Sequence, residues 1–264
     1  MASNDAQATA SRAGAVVLNQ SVAQPVLVQS CPGRISVIIP TLNEASQLTA
    51  TEPIPASRFN VEVIVVDGGS QDATADMARS KGWNVFQSQP GRARQMNAGA
   101  AVASGEILLF LHADTRLPPG FDTAARLILS RPGVVAGAFQ LRIDTARRGL
   151  RIIEKLANWR ASRFGMPYGD QAIFLKADQF RAIGGFPDIP IMEDFELMRR
   201  LLRRGRVEIA PEAAVTSARR WEEIGLWRAT WINQFCILAY CLGVPPRRIA
   251  RWYQEARRSS VIAR

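Results

Sequence analysis

The sequence predicts an α/β fold: a mostly parallel central sheet flanked by helices, with further helices at the C-terminal end. Three observations carry this expectation. Apolar, largely β-branched runs recur at residues 34–40, 61–66 and 107–111, and unbroken runs of this kind mark strands buried on both faces. Segments with helix start and stop signals separate them, which is the spacing of βαβ units. Each run ends abruptly in polar residues: Thr41-Leu42-Asn43-Glu44, Asp67-Gly68-Gly69-Ser70 and His112-Ala113-Asp114-Thr115.

Taken in order, the first run is a strand stopped by Pro40, and the loop from Thr41 to Glu44 holds cap-type residues that open a short helix ended by Pro53 and Pro55. The second strand closes on Asp67 and two glycines. A helix follows from Ser70 to about Lys81, where Gly82 stops it. Residues 83–86 form a short strand, and Gly91-Arg92-Ala93-Arg94-Gln95-Met96-Asn97 opens the next helix. The strand at 107–111 delivers Asp114 to its carboxyl end. Downstream the pattern predicts a strand at 134–143, a helix at 150–164 with Trp159 on its apolar face, a turn-rich loop at 165–171, a strand at 172–176 and a helix from about 193 to Gly205.

A chain of 264 residues with 47% hydrophobic content can bury one large core. Its net charge of +10 predicts an anionic partner: nucleotide phosphates, acidic lipid or nucleic acid. Nucleic acid is not expected, because the strands are buried and the charge is scattered arginine rather than an aromatic-lined basic face. Cys31, Cys236 and Cys241 have no metal or redox spacing, so a reduced, cytoplasmic setting is expected. The one histidine, His112, excludes histidine-rich zinc sites. Residues 1–33 lack a persistent period and a secretory pattern, and are expected to be a disordered arm.

In a parallel sheet the strand carboxyl ends face one crevice. Asp114 there is a hard oxygen donor suited to Mg²⁺ or Mn²⁺ carrying substrate phosphates. Asp67 can accept from a ribose hydroxyl or a base N–H, and Gly68-Gly69 lets backbone approach a ligand. Arg92 and Arg94 open a helix and can meet phosphate. Each signal alone is equally a turn or a solvated face; three coincident strand ends favour a nucleotide site. No G-x-G-x-x-G follows the first strand and no Walker motif occurs, which argues against dehydrogenases and P-loop proteins.

The ordered series of these motifs resembles the family-2 glycosyltransferases of the GT-A fold over about residues 34–220, in a bacterial branch with His-Ala-Asp in place of Asp-x-Asp. The resemblance implies that Pro40, Thr41, Asn43, Glu44, Asp67 and Gly68 line the base and ribose of a nucleotide-sugar donor, with Arg92, Gln95 and Asn97 beside it. Asp114 would bind the donor's divalent metal. His112 stands where the family has its first acid, as a ligand, an outer-shell group or a packed residue. Gly169, Asp170, Gln171 and Glu193 would lie near the acceptor hydroxyl. Asp194 has Leu197, Met198 and Leu201 on its helix face, and a carboxylate at a helix start is favoured by about 0.3–1 kcal/mol whatever its role. The family match makes Asp194 the general base of an inverting transfer. Ala218-Arg219-Arg220-Trp221 resembles the Gln-x-x-Arg-Trp box without its Gln, so processive synthesis is not expected; Arg220 would hold phosphate and Trp221 stack on a sugar.

Residues 221–264 are expected to form amphipathic helices. Trp227, Trp231, Phe235, Leu238 and Leu242 share one helical face, with Arg247, Arg248, Arg251, Arg257 and Arg258 beyond. That face suits the core, a homodimer or the inner face of the plasma membrane, and a lipid-borne acceptor would fit the last. A sugar-phosphate nucleotidylyltransferase shares the sheet but should carry a glycine-rich loop after its first strand, which Pro40-Thr41-Leu42-Asn43-Glu44 lacks.

Overall fold

The computed structural model describes residues 31–50, 54 and 60–262; most of the expected N-terminal arm and the expected helix stop at Pro53 and Pro55 lie outside them. Strand β1 (Cys31–Thr41) begins within the segment expected to be disordered, because Gly33 N–H donates to the Glu106 carboxylate and Arg126 Nε donates to the Gly33 carbonyl. It is followed by α1 (Ala45–Ala50), β2 (Val61–Asp67), α2 (Thr74–Ser80), β3 (Asn84–Gln87), α3 (Arg92–Val102) and β4 (Gly105–Phe110).

These strands pair in parallel in the order β3-β2-β1-β4. Their alternate residues feed two cores, so unbroken apolar runs are what the sheet requires. Ile35, Val37, Ile39, Val63, Val65 and Leu109 face one side. There they meet Phe121, Ala125 and Ile128 of α4 (Phe121–Leu129). Ile38, Ile64, Val66, Leu108 and Phe110 face the other. There they meet Met96 and Ala100 of α3, and Leu197, Met198 and Leu201 of α7 (Glu193–Leu202). Gly99 lets α3 lie close on the sheet, since a Cβ there would come within 2.5 Å of Ile38.

The sheet is mostly parallel, as expected, and its other half adds antiparallel pairings. It adds β5 (Thr115–Arg116), β6 (Val134–Asp144), β7 (Phe174–Lys176) and β8 (Arg206–Ser217) in the order β4-β7-β6-β8-β5. β7 runs antiparallel to both β4 and β6. The reason lies in its approach. The 3-10 turn Gly169–Gln171 sits beside His112 at the carboxyl end of β4, so the chain leaving that turn can only run back along β4. The two-residue strand β5, too short to register as a pattern, pairs antiparallel with β8.

Helix α5 (Arg148–Phe164) packs Leu150 and Ala157 with Leu141 and Ile143 of β6. α6 (Ala177–Ala182) links β7 to the loop before α7. The expected C-terminal helices are three, with a break at Gly225 (φ 91°): α8 (Arg219–Ile224), α9 (Leu226–Cys241) and α10 (Pro246–Ile262). The inner faces of these helices are core: Trp221, Ile224 and Ala229 join the α5 cluster. Cys236, Ala239 and Ile249 pack with Met192. Among the described residues no helix is long and apolar enough to cross a membrane.

Candidate active site

At the carboxyl end of β1 and β2 the two polar loops are tied to each other. Asn43 (φ 56°) receives Gln71 N–H on Oδ1 at 2.8 Å and donates its own N–H to Ser70 Oγ at 2.9 Å. Glu44 N–H donates to Thr74 Oγ1 at 2.9 Å. Asp67 is buried, and its Oδ2 accepts from Gly69 N–H at 3.1 Å and Ser70 N–H at 3.0 Å while Oδ1 takes the Ser70 hydroxyl. Its carboxylate therefore shapes the Gly68-Gly69-Ser70 turn. Pro40 and Thr41 sit where the register pairs them with Val66 and Asp67.

Two residues expected beside the donor are placed elsewhere. Gln95 is buried, and its amide donates to the Thr41 carbonyl at 2.7 Å and the Val66 carbonyl at 2.8 Å, bracing both strand ends from beneath. Gly68 is close against it: a Cβ there would meet Gln95 Nε2 at 3.1 Å. Asn97 makes a reciprocal pair with the Phe186 backbone, donating to its carbonyl at 2.8 Å and accepting its N–H at 3.0 Å. Polar residues on α3 alternate with its apolar ones, and the sequence cannot tell a residue turned to a ligand from one turned to a backbone carbonyl.

Asp114 is partly exposed, and its turn is anchored on β8. Ser217 N–H donates to the Asp114 carbonyl at 3.0 Å, and the buried hydroxyls of Thr115 and Thr216 hydrogen-bond at 3.1 Å. A cavity of 180 Å³ opens there, lined by Asp114, Arg116, Asp144 and Ser217 among others. His112 is packed: its Nε2 is buried, and a Cβ on Gly169 would lie 2.6 Å from that nitrogen and 3.6 Å from Asp194 Oδ2.

Asp194 stands in the first turn of α7, partly exposed, with Oδ2 accepting Gly169 N–H at 3.0 Å and Oδ1 accepting Phe195 N–H at 2.7 Å. Met192 before it is held at φ 70° and Ala172 after the 3-10 turn at φ 48°, left-handed conformations that cost of order 1–3 kcal/mol each and concentrate at functional sites. The fully inward acid is Glu193, not Asp194. Burial pushes the Glu193 carboxyl above its usual range, although Arg92 at 3.2 Å opposes this and Asp194 adds to it. Arg92, half exposed at 53%, has its pKa raised chiefly by Glu193 against burial, with Asp194, Tyr253 and Asp114 adding to the effect. One guanidinium thus feels Asp194, Asp114 and a tyrosine from α10.

Arg219 was not singled out by the motifs, and it occupies the other side of the site. Its guanidinium donates to both carboxylate oxygens of Glu44, at 3.0 and 2.9 Å. Burial works to lower its pKa, and Glu44, Asp114 and Glu223 together raise it. The pair joins residues 175 positions apart, and nothing local in the sequence signals it. Trp221, expected to stack on a sugar, is 7% exposed and packed in the α5 cluster. Gln171 is also turned inward, donating to the Phe139 carbonyl at 3.0 Å and accepting Tyr168 N–H at 3.3 Å. Asp170 is partly exposed on the same turn. The Arg220 side chain lies outside the described residues.

A sheet with three strand ends gathered around acids and arginines defines a nucleotide-dependent group-transfer scaffold. Residues 36–181 match glycosyl transferase family 2, and the chain belongs to that family. An uncharacterized glycosyltransferase of Mycobacterium tuberculosis is 33% identical over 181 residues, covering 63% of this chain and 68% of the relative. A PGL/p-HBAD biosynthesis glycosyltransferase of Mycobacterium bovis is 39% identical over 101 residues, covering 35% of this chain and 39% of that protein. Among solved structures, a mannosyltransferase from Pyrobaculum calidifontis in complex with GDP-Man and Mn²⁺ superposes with a TM-score of 0.59 at 21% identity, over 87% of this chain and 74% of its own. Glucosyl-3-phosphoglycerate synthase from Mycobacterium tuberculosis, with Mn²⁺, UDP and phosphoglyceric acid, gives 0.53 at 19%, over 80% and 79%. The fold is GT-A and the protein is a glycosyltransferase.

Proposed function

We propose that this enzyme moves a sugar from a nucleoside-diphosphate donor to a hydroxyl acceptor with inversion at the anomeric carbon, and that Asp194 is the general base. The observation that carries this reading is the fixed Asp194 carboxylate, held by Gly169 and Phe195 N–H groups within electrostatic reach of the arginine that also senses Asp114. The acceptor hydroxyl gives its proton to Asp194 while its oxygen bonds to the anomeric carbon, and the bond to the diphosphate oxygen breaks. A single displacement by the activated acceptor oxygen inverts the configuration. Arg92 and Arg219 supply the positive charge that meets the leaving diphosphate.

Among the described residues no group of three or more His, Cys, Asp or Glu side chains gathers to cage a metal. The partly exposed Asp114 fits Mg²⁺ or Mn²⁺ that arrives on the donor diphosphate, whose oxygens and water complete the shell. When bound, such an ion neutralises charge on the leaving group. The Mn²⁺ of the Pyrobaculum and mycobacterial structures supports this assignment. Those proteins and their neighbours carry GDP-Man, UDP-Glc and UDP-GlcNAc, which supports a nucleotide-sugar donor without choosing its base.

The test is thermal unfolding with UDP, GDP, ADP and CDP, each with and without Mn²⁺, on the wild type and on Asp114→Ala. A ligand at about a hundred times its Kd stabilises by about 2.7 kcal/mol. A metal-dependent rise with one nucleotide, lost in the variant, supports the reading. A rise that Asp114→Ala leaves intact removes Asp114 from the metal, and no rise with any nucleotide overturns the donor assignment.

A further inference from the structure

Twelve large hydrophobic side chains stand open to solvent among the described residues, and eight of them lie on α5 or on α9 and its C-cap. On α5 these are Ile152, Leu156, Trp159 and Phe164, at 53–60% exposure; on α9 and its C-cap they are Trp231, Phe235, Leu238 and Leu242, at 54–75%. Spacings of four and three residues draw Ile152, Leu156 and Trp159 into one stripe and the α9 set into another. Phe164 continues the first stripe by packing edge-on against Trp159, with ring centroids 5.3 Å apart. The opposite faces of the same helices, through Leu150 and Ala157 on α5 and Ala229 on α9, already share one core cluster. Folding accounts for the inner faces and for one ring contact of the outer set, Phe235 against Trp252 of α10 at 5.7 Å; the rest of the outer apolar surface needs another partner.

Charge identifies that partner. The exposed charged side chains of α5 are Arg148, Lys155 and Arg163, all basic. Its one acid, Glu154, is buried beneath Arg151 in an ion pair. α9 contains Arg228 and no acid, and α10 opens with exposed Arg247, Arg248 and Arg251. A second copy of the chain docking through this face would set the same basic stripes against each other. An anionic bilayer supplies the missing counter-charge, and Trp and Phe sit well at its interface. Neither helix can cross a bilayer, so both must lie in its plane.

We infer that α5 and α9 form a docking surface for an anionic membrane, with their apolar stripes in the interface and the arginines and lysine around them on the lipid headgroups. The inner face of α9 packs on Met192 and Phe195, which places the docking helix directly behind the Asp194 loop. The inference stands on exposed side chains alone and does not require the transfer reaction proposed above.

The experiment is flotation of the full-length protein with vesicles of phosphatidylcholine, alone or mixed with phosphatidylglycerol, at low and high salt and without any nucleotide. Two double variants accompany it, Trp159→Glu with Trp231→Glu and Lys155→Glu with Arg163→Glu. All four positions are exposed, and unchanged thermal unfolding verifies the fold. The expected result is flotation with the phosphatidylglycerol vesicles, weakened about tenfold or more by either variant, and by salt. No flotation with those vesicles, or flotation that neither variant weakens, overturns the inference. So does light scattering that shows a dimer split by the tryptophan pair while vesicles are ignored, since the face would then belong to a second copy.

Discussion

Replacing Gln95 with leucine separates a brace from a donor contact. The side chains are close in volume, so the change removes the hydrogen bonds with little repacking. Two bonds are lost, to the Thr41 carbonyl at 2.7 Å and to the Val66 carbonyl at 2.8 Å. A lost hydrogen bond costs about 1 kcal/mol net, and a buried carbonyl left without its donor costs about 1–3 kcal/mol. The Thr41 carbonyl keeps Gly68 N–H at 2.9 Å, so its share falls at the low end. The Val66 carbonyl lies in the β1–β2 ladder beside Thr41 and also takes the Thr41 hydroxyl at 3.5 Å, so its share falls at the low end too. The sum is about 2 kcal/mol, and at about 2–4 °C per kcal/mol for a chain of this size it lowers Tm by roughly 4–8 °C. The assay is thermal unfolding by circular dichroism without nucleotide, paired with donor KM on the same preparation. A Tm within about 2 °C of wild type together with a raised donor KM would refute the reasoning, because Gln95 would then be touching the donor and not the strands.

Asp194→Asn keeps the shape and removes the base, so kcat should fall about 10²–10⁴-fold while the nucleotide-induced thermal shift stays; an unchanged kcat assigns the proton elsewhere. Gly169→Ala drives a methyl group to 2.6 Å from His112 Nε2, and turnover should drop with little change in donor binding, measured by initial rates and nucleotide titration. A double-mutant cycle on Arg219→Ala and Glu44→Ala, read by chemical denaturation, should give a coupling of about 0.5–1 kcal/mol, kept small because both groups are partly exposed and solvent-screened. Glu193 has a folded-state pKa raised by burial, so it binds its proton more tightly folded than unfolded. Its contribution to stability is complete below the unfolded value of 4.5 and is lost as pH rises through the folded value. Glu193→Gln should therefore flatten the decline of stability above pH 4.5, and an identical pH profile in the variant would show that Glu193 is not perturbed.

The strands around the site could be read from the chain because burial on both faces forces an unbroken apolar run, and that constraint is local. Val37-Ile38-Ile39 and Val63-Ile64-Val65-Val66 carry it in full. The acids at the strand ends were legible for a related reason, since a polar residue directly after such a run sits at the crevice. What the chain could not reveal is which polar groups look outward. Gln95, Asn97 and Gln171 were expected to touch ligand, yet each bonds a backbone carbonyl that becomes its neighbour only when distant segments meet, while Asp67 turns to the N–H groups of its own turn.

The sequence by itself determined the family, the parallel strands that open the sheet and the positions of Asp114 and Asp194, because these rest on short-range patterns. Only the tertiary structure decided that β7 runs antiparallel, that Arg219 clamps Glu44 from 175 residues away, that Trp221 is core, and that the stripes of α5 and α9 are left facing solvent. Periodicity shows that a helix has an apolar face. Whether that face is covered depends on what packs against it, and packing is a property of the assembled chain.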